Sequence, residues 1–300
     1  MRSLFRSLSL AAGLTCLATL AQPAFAETAT ECDRLAADPA DRQKITDGAS
    51  IADLFSPAAI EACASAVAAD GDNPRLAYQY GRVLVLQNKG KEGVVHLTKA
   101  AEAGYLSAQL VLASGYGSGA HFKADPKKSW FWYEKAAAQG SKYAQATVGT
   151  LMIEGNGVEK NVEDGVAMLE GYAQSGNSFA NYSLGVLFLN GTEVPKDVPR
   201  AIQHYEAARK SGLGAAFIAL ALIYVAGQDV EKDLDKAHAI FLEGVKAGHN
   251  GVRLMLAQYY EGLIFDVADP EAEVRSLLCK AGQRGSQLYL QLYDKKIACN

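Results

Sequence analysis

The sequence predicts an all-α fold: an α/α superhelix, or solenoid, of stacked helix pairs whose two ends are closed by disulfides. Three observations predict it. Glycine closes a short segment, mostly alanine-rich, at Gly104, Gly140, Gly176, Gly212 and Gly248, always 36 residues apart, and Gly285 comes one residue late. Counted from each glycine, large apolar residues recur at +8 (Leu112, Val148, Leu184, Leu220, Leu256) and +12 (Tyr116, Met152, Phe188, Tyr224, Tyr260), with Ala108, Ala144, Ala180, Ala216 and Val252 at +4. Across the same region no stretch of four or more alternating residues reads as a strand. A fixed period of this length marks helix pairs that bury their apolar faces on their neighbours.

In chain order, residues 1–26 stand outside the fold. Residues 1–7 carry Arg2 and Arg6 and no acid, and an apolar run of about 14 residues follows, the n-region and h-region of a signal peptide. The run falls short of the roughly 20 residues that a membrane-spanning helix needs, so no direct membrane span is expected. Ala24 and Ala26 place small residues at −3 and −1, which predicts cleavage before Glu27. Cys16 lacks a lipobox, because Leu14 and Thr15 precede it. Cleavage would remove two arginines and no acid, leaving 27 bases against 33 acids, a net charge of −6.

Residues 27–72 hold ten acids and three bases, whereas residues 73–300 hold 23 acids and 24 bases. This acidic segment reads as an N-terminal cap with a solvated face, or else as a docking feature. Residues 73–104 read as a first helix pair resembling a tetratricopeptide repeat, with Tyr80, Gly81 and Leu84 on its first helix. Residues 105–285 make five repeats. In each, the +4, +8 and +12 residues share one face of a helix A, and glycine at +15 (Gly119, Gly155, Gly191, Gly227) fits a left-handed stop that the last repeat lacks. Position +21 (Asp125, Asn161, Asp197, Asp233, Asp269) carries an N-cap residue type, which opens a helix B. Gly115 and Gly117 should weaken helix A of the first repeat. Residues 286–300 remain as a C-terminal cap.

The third repeat shows the pattern almost throughout: Ala180, Leu184, Gly185, Phe188, Gly191, Val194, Lys196, Asp197, Ala201, Tyr205, Ala208 and Gly212. It resembles the Sel1-like repeat, a relative of the tetratricopeptide repeat. The resemblance implies a scaffold, adaptor or regulator that binds other proteins without catalysis. It also implies an alternative, since some cysteine-rich relatives are penicillin-binding, β-lactamase-like enzymes of the cell wall. Those relatives carry a cysteine pair in each repeat, which this chain lacks.

Four cysteines remain after cleavage, Cys32, Cys63, Cys279 and Cys299, and an even count in an exported chain reads as two disulfides. In a solenoid each repeat touches only its neighbours, so Cys63 and Cys279 should lie far beyond the roughly 7 Å of Cα separation that a disulfide spans. The expected pairs are therefore Cys32 with Cys63 and Cys279 with Cys299. Export and disulfides together point to a bacterial periplasm.

Other chemistry finds little support. Lys+Arg 29 against Asp+Glu 33 gives no basic excess for nucleic acid. The five histidines (His96, His121, His204, His238, His249) show no metal-ligand spacing, and Gly115-Tyr116-Gly117 follows no strand, so neither cofactor nor metal is expected. What stands out is a second apolar face on the A helices. Equating the Leu-Gly pair with that of tetratricopeptide repeats makes +3, +6, +10 and +13 the concave positions. These are Phe179, Tyr182, Val186 and Leu189 in repeat three, and Ala215, Ile218, Leu222 and Val225 in repeat four. A helix apolar on two faces is buried on both sides or open to a partner. Internal packing, a groove for a protein or peptide, and self-association therefore all remain open. Phe131 stands where the pattern is usually polar and is a further candidate contact, whereas Trp132 and Tyr133 read as packing.

Overall fold

A computed structural model describes residues 28–283, which form fifteen helices and no strand. The N-terminal segment supplies α1 (Glu31–Ala36), α2 (Ile51–Leu54) and α3 (Pro57–Ala69). Six helix pairs follow: α4 (Pro74–Leu86) with α5 (Gly90–Glu102), α6 (Leu106–Ser118) with α7 (Pro126–Ala138), and α8 (Lys142–Glu154) with α9 (Val162–Gln174). Then come α10 (Ser178–Asn190) with α11 (Val198–Lys210), α12 (Gly214–Ala226) with α13 (Leu234–Lys246), and α14 (Asn250–Glu261) with α15 (Pro270–Gln283). Each A helix packs on its own B helix, and each B helix packs on the next A helix, so the chain is the expected solenoid.

The repeat signals act where the sequence places them. Asp125, Asn161, Asp197 and Asp233 are the N-caps of α7, α9, α11 and α13, and each side chain accepts from the third residue of its helix. Asp269 accepts from the Ala272 amide at 3.0 Å at the start of α15. Gly119, Gly155, Gly191 and Gly227 close α6, α8, α10 and α12 at φ between 61° and 72°, a region closed to most side chains. In the last repeat the +15 residue is Leu263, which takes the same left-handed turn at φ 53° and is 74% exposed.

The +8 position is buried in every repeat, with Leu112, Leu184, Leu220 and Leu256 at 0% exposure. Phe188 and Tyr260 at +12 are buried, while Tyr116, Met152 and Tyr224 are half-buried. From the B helices, Tyr133, Leu169, Tyr205 and Phe241 fill the space between. Helix α6 nevertheless runs unbroken through Gly115 and Gly117. Gly115 is buried against the ring of Phe122, which occupies the space that a Cβ would need. The glycine is a contact surface and not a break.

The acidic segment also departs from a purely solvated face. Asp33 is fully buried and ion-pairs with buried Arg75 of α4, and it accepts from Gln79 Nε2 at 2.9 Å and from the Thr30 amide at 2.8 Å. Asp38 accepts from Tyr78 Oη at 2.8 Å and pairs with Arg82. Asp41 is buried and accepts from the hydroxyls of Tyr105 at 2.5 Å and Ser107 at 2.9 Å. These three carboxylates moor the segment to the first two A helices, while others in the segment stay exposed. The Cys32–Cys63 disulfide joins α1 to α3 with Cα atoms 4.5 Å apart, as the solenoid argument requires. Cys279 is disulfide-bonded as well. Its expected partner Cys299, like the signal peptide and the C-terminal cap, lies outside the described residues.

Candidate interaction surface

The second face of the A helices is neither sealed nor bare. Phe179, Tyr182, Val186, Leu189, Ile218, Leu222 and Val225 are all half-buried and pack against the core of the later repeats, while Ala215 is exposed. Helix α8 packs directly on α10 and α12 on α14, which accounts for part of this cover. Position Phe131 is 45% exposed on α7 with Lys135 Nζ 5.5 Å from its ring, while neighbouring Trp132 and Tyr133 are buried.

The same face is hollow at the N-terminal ends of α6, α8 and α10, where a groove of about 520 Å³ opens. Its floor holds Leu106, Leu110, Tyr143 and Phe179, and one wall is the loop of residues 40–43 of the N-terminal segment. That loop is fixed because Asp41 is pinned by Tyr105 and Ser107. Tyr143 is the most open of the floor residues at 46% exposure. Its ring meets Phe179 edge-on at 5.6 Å and Tyr133 at 6.1 Å, so the aromatic floor is held from below. Burial, reinforced by the neighbouring Tyr143, pushes the Tyr133 phenol above its usual range.

Of the residues predicted from sequence, Phe179 lines this groove. Tyr143 and Leu110 occupy the same +3 and +6 positions one and two repeats earlier. Their signal is present in the register, but in repeat one Ser107 and Ser114 at +3 and +10 interrupt the apolar face. The loop wall had no sequence signal, because it folds back from more than sixty residues away, as the Asp41–Ser107 contact shows.

The histidines of the B helices are partnered inside the fold. His204 Nδ1 lies 3.1 Å from Asn181 Oδ1 and its ring stacks on Phe188, while His238 Nε2 lies 2.8 Å from Tyr260 Oη. Burial lowers both imidazoles below their ordinary range. Among the described residues, no group of three or more His, Cys, Asp or Glu is placed to hold a metal ion, and no helix is long and apolar enough to cross a membrane.

The Sel1 repeat model matches residues 75–105, 106–141, 178–213 and 215–249. The intervening pair α8–α9 is built on the same devices, with Gly155 at its turn and Asn161 as cap. No curated protein matches the chain. Among solved structures, a Sel1 repeat protein from Oxalobacter formigenes is 27% identical, with a TM-score of 0.48 over 77% of this chain and 89% of that one. A protective antigen of uropathogenic Escherichia coli with an SLR fold is 21% identical, with a TM-score of 0.42 over 80% of this chain and 61% of that one. An immunity protein from Pseudomonas aeruginosa shares the fold at 18% identity, with a TM-score of 0.51 over 78% of this chain and 84% of that one. Four matched repeats on one continuous stack of helix pairs mean that the chain belongs to the Sel1-repeat family, whose members are in general protein-interaction scaffolds.

Proposed function

We propose that this protein is a non-catalytic adaptor of the bacterial cell envelope, exported after cleavage at Ala26, which holds a protein or peptide partner on the concave face of its A helices. The observation that carries this reading is the preformed groove over Leu110, Tyr143 and Phe179. An apolar recess of this kind, open at a large aromatic residue on a rigid array, suits capture of a partner side chain. The pattern of residues 1–26 and the Cys32–Cys63 disulfide support an oxidising compartment outside the cytoplasm.

Two measurements test it. Intact-mass analysis of protein from the periplasmic fraction should give a chain that begins at Glu27 with its cysteines oxidised; an uncleaved, reduced cytoplasmic chain would overturn the compartment. A photo-crosslinking residue at Tyr143, in living cells, should yield a discrete protein adduct that the same residue at exposed Glu134 does not. Equal adducts at both positions would remove the concave face from the reading. Covalent labelling of the purified chain by a fluorescent penicillin would overturn the non-catalytic assignment.

A further inference from the structure

The charge of the A helices is lopsided. Helices α4, α6, α10 and α12 contain no aspartate or glutamate, and those of α8 and α14 are confined to their final residues, Glu154 and Glu261. Carboxylates sit instead on the B helices and in the loops, where Glu170, Glu193, Asp229 and Glu243 pair with Arg200, Lys160, Lys196 and Arg209 of adjoining repeats. The groove shares this bias. Its charged lining consists of Arg42 and Lys142, both exposed, and Asp41. Asp41 is only 2% exposed, and its two oxygens already accept from Tyr105, Ser107 and the Gln43 amide, so it offers little to an incoming cation. Among the described residues, Lys142 Nζ reaches the Gly176 carbonyl alone, at 3.5 Å.

We propose that the groove takes an acidic peptide segment, with an apolar side chain seated over Leu110, Tyr143 and Phe179 and flanking carboxylates facing Arg42 and Lys142. This rests on the scaffold reading above and adds the chemistry of the partner. Apolar contact supplies the anchor, and the two cations at the rim select against basic sequences, since like charges brought together there lose affinity. Among the described residues that line the groove, none offers a basic peptide an exposed carboxylate.

The test uses the full processed chain and three fluorescent synthetic peptides that share a central Leu-Phe pair flanked by glutamates, by serines or by lysines. The expected order of affinity is glutamate over serine over lysine. Lys142→Glu and Arg42→Glu should each weaken the glutamate peptide by roughly tenfold while sparing the serine peptide. Raising salt should narrow the difference between these peptides, because the Debye length shortens. Tyr143→Ala should weaken the glutamate and serine peptides alike.

Equal binding of all three peptides, or a preference for lysine, overturns the proposal. Failure of all three peptides while the Tyr143 crosslink persists in cells also overturns it and leaves the scaffold intact. Failure of both removes the scaffold reading as well. A thermal melt of each variant checks that the exposed substitutions leave the fold in place.

Discussion

At the residue scale, one side-chain oxygen recurs every 36 residues and decides where each B helix begins. Asp197 Oδ1 accepts from the Arg200 amide at 3.0 Å, and Asp233 Oδ1 from the Lys236 amide at 2.8 Å. Replacing either by Ala should lower stability by about 0.5–2 kcal/mol, while Asn should be nearly neutral, because both types cap well. Chemical denaturation of the two Asp197 variants checks this, and equal losses would show that the carboxylate acts through its charge. Leu263 is the complementary case, a leucine at the turn position that four other repeats give to glycine. A left-handed residue with a Cβ costs about 1 kcal/mol, and a side chain 74% exposed returns little by burial. Leu263→Gly should therefore raise stability by roughly 0.5–1 kcal/mol, after allowing for the greater freedom of glycine in the unfolded chain. A fall in the melting temperature would mean that Leu263 packs against something the turn geometry does not reveal.

At the element scale, the helix pairs were legible in the sequence because their signals are local and repeated. The +8 leucines, the +15 glycines and the +21 caps each act within one helix pair. The N-terminal element was not legible in the same way. Asp33 lies outside the repeats, 42 residues before its partner Arg75 on the first A helix, so composition showed only an acidic stretch. The groove falls between these cases: Phe179, Tyr143 and Leu110 lie on the repeat register, but the loop that walls them in does not. The structure makes Asp33 the mooring of α1 to α4, with Gln79 and Thr30 completing its hydrogen bonds. Removing one partner of such a buried pair is expensive, because the other charge stays in a dry interior. Asp33→Ala should destabilise by about 3–5 kcal/mol, even with the Cys32–Cys63 disulfide intact. Urea denaturation under non-reducing conditions measures this, and a loss below about 1 kcal/mol would mean that the disulfide alone holds the segment.

At the scale of the whole molecule, stability is spread along the stack, through three buried apolar clusters that run from Cys32 to Val83, from Ala77 to Val148 and from Ala146 to Leu278. Exposed ion pairs such as Lys160–Glu193 and Lys196–Asp229 link adjoining repeats, but pairs of this kind contribute only about 0–1 kcal/mol each. The histidines give the array a more distinctive pH response. His96 on α5, His204 on α11 and His238 on α13 all have their pKa lowered, first by burial. Lys99 and Arg200 lower His96 and His204 further, and carboxylates partly offset the effect at all three: Glu92 at His96, Glu170 at His204, and Asp235 and Glu273 at His238. A histidine whose folded pKa lies below its unfolded value, about 6.5, binds its proton more readily in the unfolded chain. Its stabilising contribution is complete above that pH and is lost as pH falls from there through the folded value. The protein should therefore melt at a lower temperature at pH 5.5 than at pH 7.5, in a window above the titration of ordinary carboxylates. Substituting His204→Gln and His238→Gln together should flatten the curve over that window while leaving the acid limb near pH 4 unchanged, because the carboxylates that govern it are untouched. An unaltered slope between pH 7.5 and 5.5 in the double variant would show that these two imidazoles carry none of the response.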